Sequence, residues 1–320
     1  MSIGLGVFAS IIIQDRFLEP TRIVAIYYRY IYEKIVDHQV YERYEKCEKY
    51  EPKVIQKYES EIIQEYESNR TIDEAKAEIL YFLGYFDDVS VYFENIETGF
   101  TMQYNENYVY FSASVTKAPL ALFVYTLARD GQVDLDYKIT FLREDYRGGS
   151  GIIHSRYAFG HEFTIRRLVA LNLYESDNTA TAMLMRYFGN GYRQFLVTIG
   201  ADHRMAHRNL TDSGLNAIQA GIFARSIYDF IAEGNVYSEE FKRNLLNNQE
   251  PFIISHHYPV ASKTGWTRYI AWHDMAIIYA PSPYILTILS ARAGWTPADY
   301  RDFYEISMKF ERFNNYWFGQ

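Results

Sequence analysis

The sequence predicts a mixed α+β fold, an antiparallel sheet flanked by helices with an all-helical lobe inserted into it. Three observations carry that expectation. Val89-Ser90-Val91-Tyr92-Phe93 and Phe100-Thr101-Met102-Gln103-Tyr104 flank Asn95 to Gly99, a hairpin signal with glycine where the turn needs a positive φ. Near the other end, Val260 to Trp266, Met275 to Tyr279 and Tyr284 to Leu289 are short β-rich runs joined by short turns, which suits antiparallel pairing. Between these two groups the apolar residues recur at helical spacing. The early hairpin and the late strands must therefore meet in one sheet, with residues of about 130–255 as the inserted lobe.

Composition bounds the rest. With 48% hydrophobic and 18% aromatic residues over 320 positions, the chain can bury a sizeable core. A net charge of −8 and the lack of a basic stripe speak against nucleic acid as a partner. Cys47 is the single cysteine, which leaves no intramolecular disulfide and no cysteine zinc site. The 31 tyrosines suit strand and half-buried positions, where an apolar ring with a polar tip fits.

Taken in order, residues 3–13 form an apolar run too short to span a membrane, without the basic region and cleavage site of a signal peptide. A second apolar-aromatic patch runs from Ile23 to Ile35. Residues 1–35 thus read as a degenerate membrane anchor or as an ordinary amphipathic helix. Over 36–70, charges of both signs alternate with Tyr or Ile and break at Pro52, which reads as a charged helical spacer. The globular domain is expected over 71–320, opening with a helix from Thr71 to Phe86. After the hairpin, an apolar helix containing Ser114 runs to about Leu127 and closes at Asp130-Gly131. Arg147-Gly148-Gly149-Ser150-Gly151 reads as a flexible loop, without the Lys-Ser/Thr pair of a phosphate cradle. Phe163 to Phe188 is helical, broken and capped at Tyr174-Glu175-Ser176-Asp177-Asn178. Leu215 to Glu233 is another apolar helix, and Pro297 to Trp317 a closing amphipathic one.

Ser114 and Lys117 carry the first chemical signal. Three residues apart on a helix, they share one face. A serine hydroxyl is a poor nucleophile until a base stands within hydrogen-bond reach. A lysine serves as that base only where burial or a helix N-terminus depresses its pKa. The residues that follow (Ala118, Leu120, Ala121, Leu122, Phe123, Val124, Leu127) are apolar almost all round, as in a helix buried at the centre of a domain.

Two further short motifs follow in order, Ser176-Asp177-Asn178 between two helices and Lys263-Thr264-Gly265 on a strand. With Ser114-x-x-Lys117, this set resembles that of class A β-lactamases and penicillin-binding proteins, over about residues 72–320. The resemblance implies a sheet domain with a helical lobe and an active site in the cleft between them. It implies that Ser114 attacks a carbonyl or β-lactam to form an acyl-enzyme, with Lys117 taking or orienting its proton. By the same resemblance, Ser176 would pass a proton to the leaving nitrogen near Lys263, and Asn178 would hold the substrate's side-chain amide. Lys263 and Thr264, with Gly265 completing the motif, would bind the carboxylate shared by β-lactams and D-alanyl peptides. The backbone N–H groups of Ser114 and Trp266 would form the oxyanion hole. Neither metal nor organic cofactor is implied. The expected partner is a small-molecule or peptide substrate, the expected location extracytoplasmic, with membrane association through the N-terminus.

One element departs from the class A pattern. Those enzymes carry a Glu-x-x-Leu-Asn loop whose glutamate positions the deacylating water. Here the nearest match is Asp212-Ser213-Gly214-Leu215-Asn216, one methylene short and running straight into a helix. Asp212 is read as a helix cap, and deacylation is expected to be impaired. Two function classes follow: a serine acyl-transfer hydrolase, held ahead, and a non-hydrolytic sensor of penicillin or cell-wall peptide.

Rival constellations are weaker. His203 and His207 stand four apart and His256-His257 are adjacent, without an acidic ligand cluster, so they read as solvated or capping residues. Gly148-Gly149-Ser150-Gly151-Ile152 fails the Gly-x-Ser-x-Gly elbow at its last position. His273-Asp274 is read as a structural pair on a turn of the sheet, and Arg268 as a surface loop residue, held ahead of a second contact to a substrate carboxylate. Trp266 and Tyr269 are read equally as cleft lining and as edge packing.

Overall fold

The computed structural model describes residues 70–86, 88–202, 214–268, 270–292 and 296–319. The chain divides into two units, 1–71 and 72–320, and the described structure lies almost wholly in the second. The anchor and spacer readings, with Cys47, His203, His207, Asp212 and Tyr269, fall outside the described residues.

A five-stranded sheet, every pair antiparallel, runs in the order β2-β1-β9-β8-β7. Its strands are β1 (Val89–Asn95), β2 (Thr101–Tyr104), β7 (Val260–Thr267), β8 (Ala271–Ile278) and β9 (Tyr284–Ser290). The early hairpin thus joins the late strands, as the periodicity predicts. Helix α1 (Ile72–Leu83) buries Ala75, Ile79 and Leu83, a four-residue spacing that keeps one face on the core. At the other terminus α8 (Pro297–Phe318) starts at a capping box. Thr296 Oγ1 accepts from Asp299 N, and Asp299 returns a carboxylate oxygen to Thr296 N. These two helices share an apolar cluster with one face of the sheet, built on Phe93, Trp272, Phe303, Phe310 and Phe313.

The opposite face carries the helical region. Helix α2 (Lys117–Arg129) is buried at every position from Lys117 to Tyr125, as its all-round apolar pattern requires. Around it lie α3 (Ile153–Arg156), α4 (Ile165–Tyr174), α5 (Asn178–Thr198), α6 (Ala217–Ala232) and α7 (Val236–Leu246). Short ladders, β3 (Tyr110–Phe111) with β6 (Gly214–Leu215) and β4 (Lys138–Thr140) with β5 (Glu162–Thr164), tie its connections. Helix α7 is not anticipated by the sequence reading. Its start is marked by Asn235, whose side chain accepts from the N–H groups of Tyr237 and Ser238.

Candidate active site

The Ser114 turn differs from the expected helix. Ser114 sits in a 3₁₀ turn, Ala113–Thr116, and Lys117 is the first residue of α2. With three residues per turn, a 3₁₀ segment eclipses side chains at i and i+3, so the pair still stacks. The preceding Ala113 has φ +47°, a left-handed conformation costing an alanine roughly 1–2 kcal/mol. Gly265 in β7 lets the strand backbone press against this turn. A Cβ there would lie 2.7 Å from Ser114 N and 2.6 Å from Val115 N, so any side chain would displace the nucleophile-bearing backbone.

Two lysines converge from different elements. Lys117 Nζ donates to Asn178 Oδ1 at 2.7 Å and to Ser176 O at 2.5 Å, and lies 3.1 Å from Ser176 Oγ. Lys263 Nζ lies 3.2 Å from the same Ser176 Oγ and donates to Thr264 O at 2.8 Å. Both side chains are buried. Burial drives the Lys117 pKa well below its ordinary value, the Lys263 charge adds to that, and Asp177 opposes it. Burial also lowers Lys263, to about 8, against the opposing charges of Asp274 and Glu250. The arrangement therefore leaves Lys263 charged at neutral pH and favours the neutral form of Lys117. A neutral amine has two N–H donors, which Ser176 O and Asn178 Oδ1 take, and one lone pair left for a hydroxyl proton. Among the described residues Ser114 Oγ makes no hydrogen bond, and it faces the cleft.

The Ser-Asp-Asn segment is held from below. Asp177 caps α5 through Oδ1, which accepts from Ala180 N at 2.9 Å. Its Oδ2 accepts from Ile152 N and Ile153 N at 2.7 and 2.8 Å. Gly151, at φ +103°, leaves room for that carboxylate, since a Cβ would fall 2.3 Å from Asp177 Cγ. Arg147–Gly151 is therefore not the free loop expected from its glycines. Asn178 N donates to Ser150 O and Asn178 Nδ2 to Gly148 O, both at 3.0 Å. One Nδ2 hydrogen remains for a ligand. Ser176 has φ +49°, a second strained non-glycine residue beside the reacting groups. Asn172, absent from the sequence reading, donates from Nδ2 to Lys117 O at 3.0 Å and accepts from Thr181 Oγ1.

These groups meet at a cleft of about 620 Å³. Ser114, Ser176, Asn178, Lys263, Thr264 and Trp266 line it, and Lys117 is buried beneath. Trp266 also packs toward Trp272, with ring centroids 6.4 Å apart, so both readings of it hold. Tyr174, Glu175 and Glu250 line the cleft as well, and the sequence reading assigns none of them there. Among the described residues no group of three or more His, Cys, Asp or Glu is placed to hold a metal ion.

Two further expectations are corrected. The cap of α6 is Asn216, whose side chain accepts from Gln219 N, and not Asp212. A glycine-leucine strand pair, β6, separates that cap from position 212. His273 and Asp274 are buried within β8, not placed on a turn; a strand buried on both faces hides the alternation that would have revealed it. His256 and His257 lie away from the cleft, near Tyr304 and Glu311 respectively.

Comparison with known proteins agrees with this architecture. A family model described as the β-lactamase enzyme family matches residues 73–307. The structure of PBP-A superposes with a TM-score of 0.67 at 16% identity, covering 76% of this chain and 96% of that one. A mutant of PBP-A, solved as an acyl-enzyme complex with penicillin G, gives 0.65 at 16% identity over 76% and 97% of the two chains. A β-lactamase from Sphaerobacter thermophilus gives 0.63 at 18% identity over 74% and 96%. No curated protein sequence matches the chain. Identities this low carry the fold alone, whereas the family model spans most of the sequence. The chain belongs to the β-lactamase enzyme family.

Proposed function

We propose that this protein is a serine acyl-transfer hydrolase acting on β-lactam or D-alanyl-type amides, with slow deacylation. The observation that carries the reading is Ser176 Oγ, set 3.1 Å from one buried lysine nitrogen and 3.2 Å from another, in the cleft that Ser114 faces. Ser114 Oγ attacks the carbonyl carbon while Lys117 Nζ accepts its proton. The N–H groups of Ser114 and Trp266 receive the developing oxyanion, usually the largest electrostatic contribution. As the C–N bond breaks, the proton passes from Lys117 through Ser176 to the leaving nitrogen. The serine hydrogen thus ends on the amine and the acyl group on Ser114. Lys263 and Thr264 hold the substrate carboxylate, Gly265 gives the strand its close approach, and Asn178 offers its remaining Nδ2 hydrogen to the acyl side chain.

Slow deacylation is supported by the sequence, where the nearest match to the Glu-x-x-Leu-Asn loop is Asp212-Ser213-Gly214-Leu215-Asn216, one methylene short. The carboxylates lining the cleft among the described residues are Glu175 and Glu250. A protein that keeps its acyl group would act as a penicillin-binding or peptide-binding sensor, which is the second reading. We place the catalytic domain at 71–320, with the helical lobe at about 130–255, and assign it an extracytoplasmic location with residues 36–70 as spacer. Among the described residues no helix is long and apolar enough to cross a membrane, so any membrane association is assigned to residues 1–35.

Intact-protein mass after addition of penicillin G tests the proposal, with Ser114→Ala alongside. A lasting adduct on wild type, absent from Ser114→Ala, is expected. An adduct that survives in Ser114→Ala sinks the nucleophile assignment, and rapid accumulation of ring-opened product overturns slow deacylation.

A further inference from the structure

We infer that His273 is a positioning residue for the candidate nucleophile, a buried imidazole that pins the strand leading into Ser114 to the central sheet. The inference rests on the reading of Ser114 given above.

His273 lies within β8, opposite Gly265 of β7, the residue on which the Ser114 turn packs. Its two ring nitrogens face partners of opposite kind. Nδ1 accepts from Ser290 N of β9 at 3.0 Å, and Nε2 stands 2.9 Å from Phe111 O. A carbonyl oxygen needs a donor and an N–H needs an acceptor, so one protonation form satisfies both: neutral imidazole with the hydrogen on Nε2. Burial, against the opposing Phe111 and Trp272 carbonyls, holds the ring neutral by pushing its pKa down to about 4. The Tyr110 ring meets the imidazole edge-on at 5.5 Å, and its hydroxyl is fixed by Ser90 Oγ at 2.9 Å.

The need for such a pin follows from the chain around it. Phe111 ends a strand of two residues, paired among the described residues through Tyr110 with Leu215 and Phe111 with Gly214. Two residues later Ala113 adopts its left-handed φ of +47°, and Ser114 comes next. A short ladder followed by a strained residue is a weak mount for a nucleophile and for an oxyanion N–H. The His273–Phe111 bond fastens the last regular residue before that strain to a three-strand core. Displacement of a reacting group by about 1 Å is worth on the order of a hundredfold in rate.

Glutamine and asparagine separate the two bonds. His273→Gln places its amide nitrogen where Nε2 was and keeps a donor for Phe111 O. His273→Asn places a carbonyl where Nδ1 was and keeps only the acceptor for Ser290 N. The readouts are the second-order rate of penicillin G acylation, hydrogen exchange of the amides at 113–117, and the melting temperature. His273→Gln is expected to acylate within ~3-fold of wild type, and His273→Asn to lose ~10–100-fold with faster exchange at 113–117. Equal rates and equal exchange in the two variants would overturn the inference and leave His273 as a core filler. Exchange that separates the variants in a protein that penicillin never acylates would refute the reading of Ser114 while the pin stands. Should neither variant fold, ¹⁵N imidazole spectra of the native protein decide. A protonated Nε2 and bare Nδ1, unchanged from pH 8 to 5, is expected, and a protonated Nδ1 overturns the assignment.

Discussion

Both faces of the central sheet are packed with apolar clusters, and the one toward the helical region also holds two buried lysines. Against α1 and α8 the filling is aromatic: Phe93 stacks on Phe310 at 5.2 Å, and Phe252 on Trp272 at 3.9 Å. Toward the helical region, Lys117, Lys263, Asn172, Asp177 and His273 are as deeply buried, each tied into hydrogen bonds. Burying an aromatic ring stabilises by roughly 2–3 kcal/mol. Burying an amine stabilises nothing and shifts its proton affinity instead. Both faces hold the fold together through apolar clusters, and the helical side also uses its dryness to set protonation states.

Substitutions on the two faces should therefore fail differently. Lys117→Met, which keeps the packed length of the side chain, is expected to slow acylation about 10²–10⁴-fold with melting temperature unchanged or raised. Loss of stability without loss of rate would erase the distinction. Phe310→Ala on the aromatic face is expected to cost about 3–5 kcal/mol in denaturant unfolding while acylation per folded molecule stays at wild-type level. The pH response sharpens the contrast further. Lys263 has a folded pKa of about 8, below its unfolded value near 10.5. The stability allowed by a neutral Lys263 is fully present above the unfolded value and is lost as pH falls through about 8. Carboxylate binding runs the other way, because it needs the charge. KM for carboxylate-bearing substrates should rise above pH 8, by about tenfold per pH unit, and a flat profile in Lys263→Met would check the assignment. The smallest effect is expected from Glu175→Gln and Glu250→Gln, each within ~3-fold in deacylation. A hundredfold loss in either would identify a deacylation base and contradict slow intrinsic turnover.

Much of this was legible in the sequence because the signals are local. Ser114-x-x-Lys117, Ser176-Asp177-Asn178 and Lys263-Thr264-Gly265 are contiguous motifs, and the hairpin and late strands are marked by short-range periodicity. What escaped depends on fit between distant segments. Nothing near Gly151 announces that Asp177 will occupy the space a Cβ would take. Nothing near Phe111 announces a histidine donor from residue 273. The 3₁₀ start of α2 packs on Gly265, and Pro119, which cannot donate to Val115 O, already disfavours a regular helix before Lys117. Asn235 is a readable cap, but α7 behind it has few buried residues (Ser238, Phe241 and Leu245), so its apolar stripe is faint.

The central claim is that two buried lysines flanking one serine hydroxyl are held in different protonation states. NMR titration of ¹³Cε and ¹⁵Nζ in lysine-labelled protein, assigned with Lys117→Met and Lys263→Met, reads this without any substrate. The account predicts a Lys117 whose pKa lies well below the ordinary lysine value and a Lys263 that loses its proton near pH 8. Two lysines that both titrate near their ordinary value of about 10.4 would contradict it.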